Sequence, residues 1–410
     1  MASASSRPRL RPVETIVVPT QDGDRVLLLR DTMGITAEHA TIPLPLVPVV
    51  ARFNGRATCA DIARAVSREV GQEVPVGLVV KLATELEEAL FCEGPAFAAA
   101  KAEVVAAFHD SPVRPASHAG AAYHDDPAEL TRYIDRECHA RAAPQAAASG
   151  RVRALVAPHI DPWRGAVGYG HAYAALRAAL PEGCDTFVVL GTSHAPMREP
   201  FALCKKAFET PLGPLACDDE AVERLAAAAR FDPWADELNH KREHSLEFQC
   251  VFLRHLLGSK PARIVPVLAG LGEHQARGTD PARDAKVQRF LDALGEVVAD
   301  KGAVVVAGAD LAHVGPRFGD PAPLDATERE ALEARDRESL ALATSGDRRS
   351  FFSHVAADLE TRRVCGLGPM YTMLAAMPAG LRGEVLHYEQ NVDPDEGSIV
   401  SHAALAYYDG

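Results

Sequence analysis

The amino-acid sequence predicts an α/β protein in which a mainly parallel central sheet carries helices on both faces, preceded by a small α+β module. Three observations lead there. From Arg151 to the end, short apolar runs alternate with stretches long enough and periodic enough for helices. Several of these runs are continuous rather than alternating, which suits strands buried on both faces. Residues 1–100 instead hold two β-rich runs around an Asp-Gly turn, followed by two helical periodicities.

Taken in order, the first dozen residues are basic and Pro-containing, and no fixed structure is expected of them. Glu14 to Leu29 contains the runs TIVVP and RVLLL joined by TQDGD, so a hairpin is expected. Pro43 to Val50 is Pro-rich, and Asn54-Gly55 marks a turn. Thr58 is placed to cap a helix, with Asp61 three residues on as its capping-box partner. Ile62, Ala65, Val66 and Val70 follow at helical spacing, and Val80, Leu82, Leu86 and Leu90 mark a second helix. Residues 1–100 are therefore expected to form a small α+β domain, 101–115 a linker, and 116–410 the α/β domain. Asp126 should cap a helix with Pro127 at its first position, and His139 to Gly150 reads as an Ala-rich surface connection. Strands are expected at 152–157, 186–190, 263–268, 303–307, 384–388 and 399–407, and helices at 165–180, 218–229, 243–257, 285–300, 325–344 and 368–377.

Composition narrows the function. A formal charge of −13 argues against non-specific nucleic-acid or anionic-membrane binding. In the second amino-terminal helix Lys81 is the one strong positive charge against several acids, which disfavours DNA reading. No stretch approaches the roughly 18 apolar residues of a membrane span. The start, MASASSRPRLRPVE, has no apolar core region of a secretory signal. Eight scattered cysteines with no C-x-x-C pair suit free thiols in a reducing cytoplasm.

The chemistry gathers at strand ends. The run ending at Ala157 stops at Pro158, and His159 and Asp161 come at once after it. TFVVL is followed by GTSH, which places His194 just past a strand; AVVVA is followed by GADLAH, which does the same for Asp310 and His313. In an open α/β sheet this carboxyl edge is where ligands bind. A single such histidine is usually packed or at the surface, whereas three at equivalent positions point to a shared site. In EHSLEFQ, Glu243, His244 and Glu247 can share a helix face, and Glu243 lies where the helix dipole favours an acid. Cys365, in RRVCGLGPM, precedes a helix start and has Arg362 and Arg363 beside it; both features favour the thiolate. His402, on the last strand, reads equally as a sheet residue or a site residue.

These residues carry two resemblances. FNGR-T-ADIA with VVKLATELEEALF is similar to the winged-helix domains of the PqqD type, which help present peptides to radical-SAM enzymes; a generic docking or dimerisation module is the alternative. APH…GHAYAAL, VVLGTSH, EHSLEFQ, GADLAHVG and VCGLGPM, in this order, resemble the Memo family, the B component of the AmmeMemoRadiSam set. The opening AGAAYHDDPAELTRYID resembles the family's usual start. The resemblance implies a fold like the class III extradiol dioxygenases of the LigB type, with one metal ion. It matches His159 and His194 to metal ligands, Cys365 to the position of the dioxygenase carboxylate ligand, and His313 to the acid/base, with Asp310 beside it. Glu243 and His244 match the family's EHS stretch lining the same cleft. One departure stands out: PHAGY is usual, whereas this chain has Pro158-His159-Ile160-Asp161-Pro162. Asp161 is thus a further candidate ligand, a residue that orients His159, or a turn residue.

Two imidazoles and a thiolate suit iron(II), copper or zinc, the sulfur shifting preference towards copper and zinc. Three readings remain open at this level. One is an oxygen-dependent oxidoreductase acting on a small aromatic molecule, with His313 as acid/base. A second is a non-catalytic metal- or peptide-binding protein whose amino-terminal domain docks radical-SAM system partners. The third is a zinc hydrolase in which Glu243 or His313 activates water.

Overall fold

The structure, a computed structural model, describes residues 2–20, 22–142, 150–271, 274 and 277–410. It divides into two compact units, Met1–Asp110 and Ser111–Gly410.

In the first unit, strands β1 (Glu14–Pro19), β2 (Arg25–Arg30) and β3 (Ala40–Pro43) form an antiparallel sheet in that order. The expected hairpin is its first pair. After the short helix α1 (Val47–Val50) come α2 (Cys59–Val70), α3 (Val76–Glu88) and α4 (Pro95–Asp110). Thr58 and Asp61 form the expected capping box, each side chain accepting from the other's backbone N–H. Ile62, Val66, Val79, Leu82 and Leu86 pack with Leu29 and Ile42 in one core. Two expectations need correction. The first dozen residues are tied down: Leu10 N–H donates to Phe53 O at 2.8 Å, and Arg11 makes a buried 2.9 Å ion pair with Asp31. The stretch read as a linker is helical to Asp110 and then forms a strand at Val113–Arg114. Its alanines are the strongest helix formers, and Pro95 suits a helix's first turn.

In the second unit, β4 (Val113–Arg114) precedes α5 (Pro127–Tyr133), which Asp126 caps as expected. Residues 143–149 of the expected Ala-rich connection lie outside the described residues. Then come β5 (Val152–Ala157), α6 (Pro162–Ala179), β6 (Thr186–Gly191), β7 (Phe201–Leu203), β8 (Ala207–Phe208) and β9 (Ala216–Cys217). Next are α7 (Asp219–Ala228), α8 (His244–Leu257), β10 (Arg263–Ala269), α9 (Ala285–Lys301), β11 (Val304–Gly308) and β12 (Asp310–Val314). The chain ends with α10 (Ala326–Thr344), α11 (Arg348–Ala356), α12 (Leu359–Arg362), α13 (Leu367–Ala376), β13 (Arg382–Val392) and β14 (Ile399–Tyr408).

The sheet is mixed rather than mainly parallel. β5, β11, β6 and β10 form a parallel centre, whereas β7, β12, β13 and β14 run antiparallel to their neighbours. The reason is connectivity: β13 and β14 are joined by a short turn, which permits only an antiparallel pair. β12 and β5 lie end to end along one edge of β14, opposite its first and last residues respectively. α6 and α8 pack on one sheet face, and α7, α9 and α13 on the other. Val188, Leu190, Val265, Val267 and Val305 form the heart of the core beneath the second set of helices. Among the described residues, no helix is long and apolar enough to cross a membrane.

Register places the functional edge. Ala157 pairs with Gly308, Gly308 with Gly191, and Gly191 with Leu268, so four parallel strands end at one level. The residues just past these strands therefore meet there.

Candidate metal centre

His159 leaves the end of β5 and is buried. Its backbone N–H donates to Asp310 Oδ1 at 2.9 Å, and its Nδ1 faces Gly308 O at 3.0 Å. A carbonyl can only accept, so Nδ1 carries the proton. Nε2 is thereby turned to Cys365 Sγ, 3.1 Å away. The tripeptide Gly308-Ala309-Asp310, where β11 passes to β12, grips this histidine from ring and backbone together.

His194 lies just past β6 and is held by Glu243. Glu243 Oε2 accepts the His194 backbone N–H at 2.8 Å, and Oε1 lies 3.0 Å from its Nδ1. Oε1 also accepts from Ser245 N at 3.0 Å, so the carboxylate caps α8 as well. Glu243 thus orients His194, a carboxylate–imidazole pairing of the kind that supports metal-bound histidines. His244, the next residue, stacks on His194 with centroids 4.5 Å apart and meets His159 edge-on at 5.5 Å. α8 reaches this close because β11 ends in glycine: a Cβ at Gly308 would lie 2.2 Å from Ser245 O. Ligand atoms of His159, His194 and His244 all lie within 4.8 Å of one another, close enough to hold a metal ion.

Cys365 closes the group from the turn before α13. Its carbonyl accepts from Thr192 Oγ1 at 2.9 Å, and the N–H of Gly366 donates to Asp310 O at 3.0 Å. Burial pushes the thiol up, but the imidazoles of His159 and His313 outweigh it and bring Cys365 down to about 5. Burial pulls His159 down, but the Cys365 and Asp310 charges raise it to about 9. His194 is likewise raised, because Glu243 outweighs desolvation, and Glu243 is lowered in return. His244 is lowered by burial and by repulsion from His194. His313 turns its Nδ1 to Leu311 O at 3.2 Å and sets its ring edge-on against Phe318.

Asp161 takes the turn role. It caps α6 by accepting from Arg164 N at 3.1 Å and pairs with the Arg164 guanidinium, apart from the histidine group. Asp161→Ala is expected to cost about 1 kcal/mol of stability, read by denaturant unfolding. Metal content should not change; a fall would mark Asp161 as a ligand.

Glu247 does not face this group. It forms a fully buried ion pair with Arg114 and accepts from the Tyr123 hydroxyl and from His118 N. Arg114 also donates from Nε to His240 O and from Nη2 to Glu243 O, both at 2.9 Å. Sequence reasoning missed Arg114, Tyr123 and His118, which fix the segment leading into His244. His402 is buried and lies opposite Asp310 in the β12–β14 pair.

Fold and cluster together define an α/β protein that gathers three imidazoles and a thiol at its strand ends. The family model described as Memo-like protein matches residues 114–406, and the chain belongs to this family. It is 26% identical over 389 residues to a MEMO1 family protein of Aquifex aeolicus, covering 94% of this chain and 96% of the relative. A MEMO1 family protein of Thermus thermophilus is 28% identical over 85% of this chain and 98% of its own length. The memo-1 homolog of Caenorhabditis elegans is 28% identical over 64% of this chain and 71% of its own. The Aquifex alignment reaches into the amino-terminal unit, which lies ahead of the matched family region.

Proposed function

We propose that this protein holds one redox-active metal ion, iron(II) or copper, on His159, His194 and Cys365, and that the cleft around it oxidises a small aromatic molecule with oxygen as the oxidant. The observation that carries the reading is the 3.1 Å approach of the Cys365 sulfur to His159 Nε2 beside the imidazole cluster. The donor set fits such an ion. Nδ1 of both His159 and His194 faces a backbone or carboxylate oxygen, which leaves each Nε2 for coordination. The thiol is already a thiolate at neutral pH, as a ligand must be. Without metal, protons on His159 and His194 balance the Cys365 and Glu243 charges; a divalent cation would take over that task.

When bound, the ion would supply open coordination positions and electron transfer. The chain's own groups supply the rest. Asp310 and Glu243 hold the two ligand imidazoles, and His244, kept neutral by burial, stacks on His194. His313 is the acid/base at the cleft, accepting a proton from a substrate hydroxyl. The non-catalytic reading, in which the cleft stores metal or holds a peptide, draws support from Cys365 itself, since a thiolate is exposed to oxidation wherever oxygen is used.

The test is metal content of anaerobically purified protein by elemental analysis. Wild type should carry close to one iron or copper, and Cys365→Ala should lose most of it. Equal content in both would leave His159, His194 and His244 as the set. No metal in either would overturn the proposal.

A further inference from the structure

A second group of imidazoles lies between α6 and the β13–β14 hairpin. Glu389 and His402 are directly opposite in the antiparallel pair, and His387 stands two residues from Glu389, so all three point to the same sheet face. That face is covered by α6, whose His171 stacks on the His387 ring at 5.0 Å and 7°. The opposite face of the hairpin belongs to the main core, to which Ala403, Leu405 and Tyr407 contribute.

His402 is fully buried, and neither ring nitrogen has a hydrogen-bond partner among the described residues. A buried imidazole left this way costs free energy, and native structures that keep one usually supply an ion or a water. Its Nε2 is aimed at Glu389 Oε2, 3.9 Å away, and His387 Nε2 lies 3.3 Å from the same oxygen. Two nitrogens and an oxygen on one four-coordinate ion stand about 3.3 Å apart. The His387 and His402 centroids are 6.3 Å apart, so the two rings must close on Glu389 to share an ion. Room for the His402 ring is built in: a Cβ at Gly168 of α6 would come within 3.1 Å of its Nδ1.

The geometry points to a second metal site, formed by His387, Glu389 and His402, for a divalent cation of the zinc class. Two imidazoles and one carboxylate are a zinc-type donor set, harder than the thiolate-containing set at the strand ends. The ion would tie the terminal hairpin together beneath α6, one strand removed from the first centre.

The experiment is titration of metal-free, full-length protein with Zn²⁺ against a chromophoric chelator, and with Co²⁺ followed by visible absorption. Wild type is expected to take up two equivalents, and Glu389→Gln, His387→Ala and His159→Ala one each. The double variant His159→Ala/Glu389→Gln should take up none. His387 and Glu389 are partly exposed, so both variants should fold, which circular dichroism checks. If the first centre fails and this one stands, wild type binds one equivalent that survives His159→Ala and disappears in Glu389→Gln. Equal uptake by wild type, Glu389→Gln and His387→Ala overturns the site.

Discussion

Arg114→Met is expected to destabilise the carboxyl-terminal unit by about 3–5 kcal/mol, because it strands the Glu247 carboxylate in the interior without its cation. Both side chains are fully buried, so water cannot take the guanidinium's place. The residual donors, Tyr123 and the His118 and Ser117 N–H groups, leave a full negative charge in the core. Denaturant unfolding should show the loss as a lower midpoint at unchanged slope. The double change Arg114→Met/Glu247→Leu should recover much of it, since replacing a buried pair by apolar groups removes two desolvation costs at once. A single change within about 1 kcal/mol of wild type would mean that Glu247 takes up a proton in place of its partner. Arg114 also anchors the carbonyls of His240 and Glu243, so the single variant should weaken metal uptake as well.

Cys365 should be the thiol that iodoacetamide finds in metal-free protein at mildly acidic pH. The thiolate reacts, so the rate rises with pH through about 5 and levels off near neutrality. Between pH 7 and pH 5 the Cys365 rate should fall about twofold, whereas a thiol with an ordinary pKa near 8.5 falls about 100-fold. At pH 6 the thiolate fractions differ roughly 300-fold; the lower nucleophilicity of an acidic thiolate takes back about 30-fold, leaving about tenfold in favour of Cys365. Cys138, Cys204 and Cys250 are all pushed up by burial and should stay unlabelled. Mass spectrometry of the labelled peptides reads the result. A Cys365 rate still falling tenfold from pH 7 to pH 6 would place its pKa in the ordinary range.

Much of the fold is legible in the sequence because burial on both faces leaves a plain trace. VRALVA, TFVVL and VVVAG are apolar runs ended by Pro or Gly, and the residues just past them are the ones the register brings together. Strand direction is not legible at β14. Its local pattern is the same either way, and only the partner it meets across the sheet decides. α4 reads as a linker because alanines in a row show no amphipathic contrast. His159, His194 and Cys365 can be picked out from their place at strand ends and at a helix start. The closeness of His244 to both imidazoles cannot, since it depends on α8 pressing against Gly308. Arg114 carries no local signal: its partner is 133 residues away, and a lone arginine between Val113 and Pro115 looks like any surface residue.

The wide scatter of the strand-end residues along the chain has a consequence for how a metal ion could be acquired. His159, His194, His244 and Cys365 come from four separate connections, and β14, which holds β12 and β5 end to end, follows all of them in the chain. A nascent polypeptide still missing β14 has imidazoles but no assembled cage. A metal ion that needs all of these residues would therefore be taken up only once β14 is in place, and chains cut short of β14 would not hold it. Because only the finished fold can take the ion, occupancy would add to the stability of complete molecules alone, by an amount set by free-metal concentration over dissociation constant. In a cell short of that metal, the protein's lifetime would track supply.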